Sequence, residues 1–275
     1  MTCAWTEFLS ILPPWLRRDV DSRAREDLQE LRLRLDRPPE LVTGKGVQLL
    51  ERPAGRDDIT YCINTASRYS PWSAATMVDG YITAPGGHRM GICGEVVCRD
   101  SQITGIRDVT SLCLRVARDF PGIGKLILDL EGSVLILGAP GWGKTTLLRD
   151  MARQIGERET ISVVDERREL FPDGFVRGKR MDVLTGCRKD RGIDMVLRTM
   201  GPAWIAMDEI TEEGDCKSLI RAANCGVRLL ATAHAASSAD FRRRPVYRAL
   251  LEQKIFDHLV ILRRDKTCTV ERMYA

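Results

Sequence analysis

Long hydrophobic runs are missing from this sequence, although 44% of its 275 residues are hydrophobic. The longest apolar stretches, such as Val134–Leu137 and Leu259–Leu262, have the length of a strand, whereas a membrane helix needs about 20 apolar residues. The N-terminus also lacks the basic start, apolar stretch and small-residue cleavage site of an export signal. We therefore expect a chain that neither spans a membrane nor is exported.

The sequence also lacks closely spaced cysteine pairs. Its nine cysteines are an odd number, and the nearest two, Cys93 and Cys98, are separated by four residues, so there is no CxxC motif. Disulfide frameworks and zinc sites generally show even numbers of cysteines or such close pairs. The pattern favours a reduced, cytoplasmic compartment in which most cysteines are small core residues.

An excess of positive charge is absent from the first part of the chain. Residues 1–119 contain 16 Lys and Arg and 16 Asp and Glu, whereas residues 120–275 contain 26 basic and 22 acidic residues, which accounts for the net charge of +4. A nucleic-acid-binding domain usually carries a basic patch. The balance therefore argues against a specific nucleic-acid partner for the front region.

The first 119 residues mix helix and strand signals. Leu alternates with Arg over Glu30–Leu35, which is typical of a half-buried strand, and the Asp119–Gly124 segment has the Gly and Pro content of a linker. We predict a smaller α+β domain over residues 1–119. Its other expected elements are a helix over Trp15–Gln29, a hairpin over residues 81–97 that turns at Pro85–Gly87, and a strand over Leu112–Val116.

Residues 120–275 have a different rhythm, because short apolar runs alternate with amphipathic segments. This alternation predicts an α/β domain with a mainly parallel sheet covered on both faces. The Asp265–Thr267 segment is expected to turn the last of these strands back as a hairpin into Cys268–Met273. The expected strands are Val134–Leu137, Ile161–Val164, Trp204–Met207, Val227–Leu230 and His258–Leu262, with helices over Thr145–Ile155, Asp215–Ala223 and Val246–Gln253.

The segment GAPGWGKT, residues 138–145, matches the phosphate-binding pattern GxxxxGK[ST] and lies between a predicted strand and a predicted helix. In this pattern the glycine-rich backbone directs N–H groups at phosphate oxygens. Lys144 is expected to reach the β- and γ-phosphates of ATP, and the Thr145 hydroxyl to ligate Mg²⁺. The residues expected to contact the nucleotide are Gly138, Ala139, Pro140, Gly141, Trp142, Gly143, Lys144, Thr145 and Thr146.

The indole of Trp142 is not required for phosphate binding. Two positions are open for it: the protein surface, or a contact with a neighbouring subunit. The surface is the simpler interpretation, because an indole is large and seldom fully buried.

Two acids follow the apolar run Trp204–Met207. The carboxyl ends of parallel strands meet at one edge of the sheet, which is where the phosphates are expected. We assign Asp208 to Mg²⁺, through a water molecule, and Glu209 to polarising the water that attacks the γ-phosphate.

Two further strand ends carry polar side chains toward the same edge. Glu166 is interpreted as a second carboxylate facing the nucleotide; the alternative is that Asp165 and Glu166 pair with Arg167 or Arg168 in a loop. His234, after Thr232, could sense the γ-phosphate or orient water. Its alternative is a purely structural hydrogen bond.

Short motifs recur in a specific order along nearly the whole chain. Together they resemble the stage III sporulation protein AA family, which is similar to the hexameric ATPases of type II and type IV secretion. The motifs are Glu30–Arg34, Gly86–Ile92, residues 138–145, Val163–Arg167, Asp182–Cys187, Leu197–Pro202, Met207–Glu209, Ala231–His234 and Arg243–Pro245.

The resemblance implies a RecA-like P-loop ATPase domain behind a smaller N-terminal domain. It also implies a ring of identical subunits that uses ATP and Mg²⁺ to power a membrane channel between mother cell and forespore, with the ATPase in the cytoplasm at the membrane complex. Asp165-Glu166 and Ala233-His234 match the family's acidic and histidine boxes. In such rings an arginine often acts on a neighbour's nucleotide, and Arg198, Arg89 and Arg115 are the candidates.

Two other functions remain open at this point. A helicase or DNA translocase could use the same nucleotide-binding core, although the neutral front region argues against it. A nucleotide-gated scaffold could bind ATP with little turnover, although the presence of Lys144, Asp208 and Glu209 favours hydrolysis.

Overall fold

The computed structural model of the protein describes residues 3–25, 27–67, 75–125, 129–172 and 174–274. The chain divides into two compact units, one formed by Met1–Asp119 with Pro172–Gly174 and the other by Phe120–Phe171 with Phe175–Ala275. Across the described stretches, none of the helices combines the length and the apolar character that crossing a bilayer would require.

The first unit contains an antiparallel sheet of six strands in the order β3-β2-β1-β6-β5-β4. Helices α1 and α2 precede the sheet, and α3 lies between β3 and β4 in the chain. The strands are β1 Leu28–Arg34, β2 Glu40–Thr43, β3 Gly46–Leu49, β4 Tyr81–Thr83, β5 Arg89–Arg99 and β6 Gln102–Arg115, and the helices are α1 Trp5–Ile11, α2 Pro14–Ala24 and α3 Arg56–Ala66.

The alternating Leu and Arg residues do form a half-buried strand. Leu31 and Leu33 in β1 are buried, and Arg32 between them is partly exposed. The predicted helix over Trp15–Gln29 is wrong at its C-terminal end, because α2 ends at Ala24 and β1 begins at Leu28. Pairing of β1 with β2 and β6, and burial of its leucines, override the local helical signal there.

The second unit contains a sheet of seven strands in the order β13-β12-β7-β11-β10-β8-β9. All neighbouring strands run parallel except β13, which pairs antiparallel with β12 in the predicted hairpin. Its strands are β7 Val134–Leu137, β8 Ile161–Asp165, β9 Met181–Thr185, β10 Trp204–Met207, β11 Arg228–Ala233, β12 His258–Leu262 and β13 Cys268–Arg272. Its helices are α4 Lys144–Ile155, α5 Lys189–Thr199, α6 Glu213–Asn224, α7 Ser238–Arg243 and α8 Arg248–Glu252.

Continuous apolar strands such as β7 are buried on both faces. Leu135 and Leu137 point into a core cluster with residues of α5, α6 and α8, whereas Val134 and Ile136 point into a second cluster with residues of α4. Successive strand residues face opposite sides of a sheet, so a strand between two helical layers needs apolar residues at every position.

Two expectations for this unit need correction. The predicted strand Val227–Leu230 begins at Arg228 and continues to Ala233, because Ala231, Thr232 and Ala233 pair with β7. The predicted helix over Val246–Gln253 is shorter, with a 3₁₀ turn at Pro245–Tyr247 before α8.

All nine cysteines are free, but the expectation that most of them are core residues is wrong. Only Cys62 and Cys216 are buried; Cys93, Cys98, Cys225 and Cys268 are exposed. Cys93 and Cys98 lie on β5, whose outer half is largely exposed. Part of this long strand therefore lies outside the core, and its cysteines are solvent-accessible.

Candidate functional site

The phosphate-binding pattern forms the turn between β7 and α4. Gly141 and Gly143 have φ angles of 75° and 102°, a left-handed region that strains residues with a Cβ. The helix begins at Lys144, directly after Gly143. The free amide groups and positive dipole end of a helix N-terminus favour a bound anion.

Lys144 lies buried at this turn, with 6% of its surface exposed. Its ammonium group donates to the carbonyl oxygen of Ala139 at 3.2 Å, which uses one of its three N–H groups. Burial lowers the pKa of Lys144, and the nearby carboxylates of Asp208 and Glu209 oppose that shift. A buried cation next to amide groups fits the phosphates of a nucleotide.

A chain of short hydrogen bonds joins the ends of three elements. Thr145, in α4, donates to Asp208 Oδ2 at 2.7 Å, and Thr232, in β11, donates to Asp208 Oδ1 at 2.6 Å. Asp208 directly follows β10. Mg²⁺ prefers hydroxyl, carboxylate and water oxygens and is usually held by one or two carboxylates together with substrate phosphates. Thr145 and Asp208 therefore provide the donor chemistry that the ion requires.

Glu209 is held from several sides. Its φ angle is 58°, which is uncommon for a residue other than glycine, and its amide donates to Thr232 Oγ1 at 2.8 Å. Its carboxylate lies 3.2 Å from His234 Nδ1 and 3.7 Å from a guanidinium nitrogen of Arg167. Glu209, His234 and Arg167 therefore form one polar cluster.

The His234 ring is partly buried in this cluster. Burial lowers its pKa most, and the positive charge of Lys144 lowers it further, whereas the carboxylates of Glu209 and Asp208 raise it. The net direction is downward, so the neutral imidazole is favoured near neutral pH. A neutral ring that carries its proton on Nδ1 can donate a hydrogen bond to the carboxylate, which only accepts.

The two acids at the end of β8 differ in burial and in their hydrogen bonds. Asp165 is buried and accepts hydrogen bonds from the amides of Glu169, Leu170 and Phe171. Burial raises its pKa in spite of these bonds. Asp165 therefore shapes the turn that follows β8.

Glu166 is only partly buried and, like Asp165, lines a cleft of about 30 Å³, which is large enough to hold a water molecule. Asp208 and Glu209 line the same cleft. Arg167, considered above as a partner of the neighbouring acids, approaches Glu209 instead.

The remaining predicted residues lie in different places. Trp142 is half-buried and packs against the core cluster that contains Leu147 and Leu148, so within its own chain the indole is neither fully on the surface nor free. Thr146 follows Thr145 in the first turn of α4. Arg198 is exposed near the C-terminal end of α5.

Arg198 is not brought to the site of its own chain. The other end of α5, at Lys189, contacts the Glu209 carbonyl, and nine residues of helix span about 14 Å. In the first unit, Arg89 stacks on the Tyr81 ring, with 4.2 Å to its centroid, and Arg115 lies 3.2 Å from the Glu30 carboxylate.

Three side chains at the site were not assigned from the sequence. Lys189 contacts the backbone of Glu209, Arg167 approaches its carboxylate, and Lys266 donates to the Gly141 carbonyl at 2.6 Å. A lysine or arginine in a helix or turn is usually a solvated surface group. Only its place at the start of α5 sets Lys189 apart, because a cation is disfavoured at a helix N-terminus and needs a partner elsewhere to explain it.

Comparisons with known proteins identify the family of the chain. Residues 6–275 match the family model described as sporulation stage III, protein AA. The chain is 33% identical to stage III sporulation protein AA of Bacillus subtilis (strain 168), over 98% of this chain and 94% of that protein. It is also 30% identical to protein SEEDLING PLASTID DEVELOPMENT 1 of Arabidopsis thaliana, over 89% of this chain but only 35% of that protein.

Solved structures show the same fold at low sequence identity. The pilus retraction motor PilT with bound ADP matches with a TM-score of 0.65 and 15% identity, over 92% of this chain and 80% of that chain. The ATPase DotB of Legionella pneumophila matches with a TM-score of 0.62 and 16% identity, over 95% and 80%. The predicted fold, a RecA-like α/β domain with a smaller α+β domain, is thereby confirmed, and the chain belongs to the sporulation stage III protein AA family.

Proposed function

We propose that this chain is an Mg²⁺-dependent ATPase that works as one subunit of a hexameric ring. The observation that carries the proposal is the convergence of Lys144, Thr145, Asp208 and Glu209 at the carboxyl ends of β7 and β10, the parallel strands on either side of β11. Similarity in fold to PilT, a pilus retraction motor with bound ADP, and to the ATPase DotB supports the same activity.

Each residue has a role that follows from its position. The turn at residues 138–145 and the ammonium of Lys144 bind and neutralise the phosphates. Thr145 and Asp208 would hold Mg²⁺, which supplies positive charge next to the transferred phosphoryl group. Glu209 orients and polarises the attacking water in the cleft that it shares with Glu166.

His234 acts through its contact with Glu209. A neutral imidazole 3.2 Å from the carboxylate can fix the direction in which Glu209 points. His234 directly follows β11, which pairs with β7, the strand before the phosphate-binding turn. We propose that Glu166 assists by orienting the same water.

The central test is the substitution Glu209→Gln, which keeps the shape of the side chain and removes its charge. Turnover of Mg²⁺-ATP should fall by about a hundredfold or more, while the Kd for ATP measured by calorimetry stays within about threefold. Glu213→Gln, at an exposed position on α6, is the matched control and should leave both values unchanged. Turnover unaffected by Glu209→Gln would favour a nucleotide-gated scaffold instead.

The ring requires that subunits complete one another's sites, and Arg198 is our candidate for the residue supplied in trans. A Glu209→Gln subunit retains Arg198, and an Arg198→Ala subunit retains Glu209. Each variant alone should therefore be inactive, whereas a mixture should recover part of the activity. A mixture as inactive as its components would remove Arg198 from this role.

The cellular role that we propose is to power assembly or secretion through a membrane channel between mother cell and forespore. The membership of a sporulation family and the fold shared with DotB and PilT support it. The chain would then lie in the cytoplasm, attached to a membrane-embedded partner. A fluorescent fusion should concentrate at the membrane between the two cells, and a uniformly cytoplasmic signal would argue against it.

A further inference from the structure

Lys189 is a buried lysine at the first position of α5. Its side chain is 10% exposed, and its ammonium group lies close to three oxygens. It donates to the Glu209 carbonyl at 2.6 Å and to Thr211 Oγ1 at 2.9 Å, and it lies 3.1 Å from Asp215 Oδ2. These contacts can use all three N–H groups of the ammonium.

Asp215 completes this cluster from α6. Its carboxylate is 1% exposed and accepts from the amides of Thr211 and Glu212 at 2.9 and 3.3 Å. A buried carboxylate requires a positive partner or several hydrogen bonds, and here it has both. The loop between β10 and α6 is thereby fastened to the start of α5.

Glu209 is the second residue of this loop, after Asp208, and Lys189 holds its backbone carbonyl. Two flanking contacts fix this residue in the left-handed region: its amide donates to Thr232, and its carbonyl accepts from Lys189. A residue with a Cβ is strained in this region and keeps it only when its surroundings hold it there.

We propose that Lys189 is a positioning residue for ATP hydrolysis: by holding the Glu209 carbonyl, it keeps the Glu209 carboxylate aimed into the cleft where water is activated. Lys189 lines that cleft together with Glu209 and Asp208. The inference rests on the proposed ATPase activity and deepens it. It assigns to Lys189 no contact with the nucleotide, so its loss should slow turnover without weakening binding.

The test compares Lys189→Met with the double variant Lys189→Met/Asp215→Asn. The single variant leaves Asp215 buried without its cation and can lose stability for that reason alone. The double variant removes both charges, while the Asn oxygen can still accept from the Thr211 amide. The matched control is Lys217→Met, which removes an exposed lysine from α6.

In the folded double variant we expect kcat to fall ten- to a hundredfold, because a small displacement of a catalytic group has an effect of this size. The Kd for Mg²⁺-ATP should stay within about twofold of the wild type. The control should match the wild type in both. A double variant with wild-type kcat, or one in which Kd rises as much as kcat falls, would overturn the inference.

Hydrogen exchange of the nucleotide-free protein gives a readout that does not depend on turnover. A peptide beginning at Glu209 and ending before α6 should exchange faster in the double variant than in the wild type and the control. If the wild-type chain proves not to hydrolyse ATP, the proposed function fails, but exchange still decides whether Lys189 holds this loop. Unchanged exchange would refute the positioning role by itself.

Discussion

The hydroxyl of Thr232 is the best place to test whether the site depends on its hydrogen-bond network. Thr232 is fully buried in β11. Its Oγ1 accepts from the Glu209 amide at 2.8 Å and donates to Asp208 Oδ1 at 2.6 Å. Thr232→Val keeps the branched shape of the side chain and removes both bonds.

The expected loss of stability can be worked out from these two bonds. A hydrogen bond to a neutral amide contributes about 0.5–1.5 kcal/mol, and one to a charged group about 1.5–3 kcal/mol. Asp208 is only partly buried, so water can replace some of the second bond. We therefore expect Thr232→Val to lower the free energy of unfolding by about 2–4 kcal/mol.

Turnover should also fall, because the Asp208 carboxylate and the Glu209 backbone amide each lose a hydrogen bond. Asp208 would still hold Thr145, whereas Glu209 would lose the partner of its amide in a strained conformation. We expect kcat to fall about tenfold or more, which corresponds to about 1.4 kcal/mol of transition-state stabilisation.

Urea unfolding and steady-state ATP hydrolysis measure the two effects. Thr232→Ser is the matched control, because it keeps the hydroxyl and loses one methyl group, at a cost of about 1 kcal/mol. Its kcat should remain near the wild-type value. If the Val variant is as stable and as active as the Ser variant, the hydroxyl does not organise the site and the reasoning fails.

Two further predictions concern a buried histidine and the phosphate loop. His88 accepts at Nδ1 from the Ala117 amide and so donates from Nε2 to the Ala4 carbonyl, and burial lowers its pKa. The contribution of His88 to stability is complete above the unfolded pKa near 6.5. It is lost as the pH falls from there through the lowered folded pKa, by at most about 1.4 kcal/mol per pH unit. Urea unfolding at a series of pH values should show that the free energy of unfolding changes less steeply with pH in His88→Gln than in the wild type, and an equal steepness would contradict this. Lys266→Met removes the hydrogen bond to the Gly141 carbonyl, so ATP affinity measured by calorimetry should fall about two- to fivefold with kcat unchanged. A wild-type Kd would show that Lys266 does not restrain the phosphate-binding turn.

The central strands of the second unit could be predicted because each carries its own signal. The predicted bounds of β7, β10 and β12 agree with those of the structure. Apart from His258 at the start of β12, these strands are apolar at every position, because helices cover both faces of the sheet. The phosphate-binding turn could be predicted equally well, because its glycines and its lysine lie within one short segment of the sequence.

Several elements were not predicted, among them the edge strands β3 and β9 and helix α3. All four residues of β3 are exposed, and β9 at the edge of the other sheet has no buried residue. Strands that bury so little need no regular alternation of apolar and polar residues. Helix α3 begins after Gly55, which has no side chain to mark a helix start in the way that Ser or Asp does.

The sequence alone does not distinguish the two neighbouring acids Asp165 and Glu166. Asp165 and Glu166 are adjacent, chemically similar and both line the cleft, yet Asp165 is buried and accepts from three backbone amides, whereas Glu166 is only partly buried. Which of two neighbouring acids is held by the backbone depends on the direction of the strand end. That direction is set by the turn that the buried acid itself organises.

Lys189 shows why a residue that contacts the backbone of a site acid is harder to predict from the sequence than the acid itself. It lies 20 residues before Glu209 in the chain, and the contact forms because α5 begins near the end of β10. A cation at a helix N-terminus opposes the helix dipole by roughly 0.3–1 kcal/mol, which is offset here by Asp215 and the Glu209 carbonyl. A lysine placed against its helix dipole is thus a signal in itself: the position is unfavourable for the isolated helix, and only the neighbouring loop explains it.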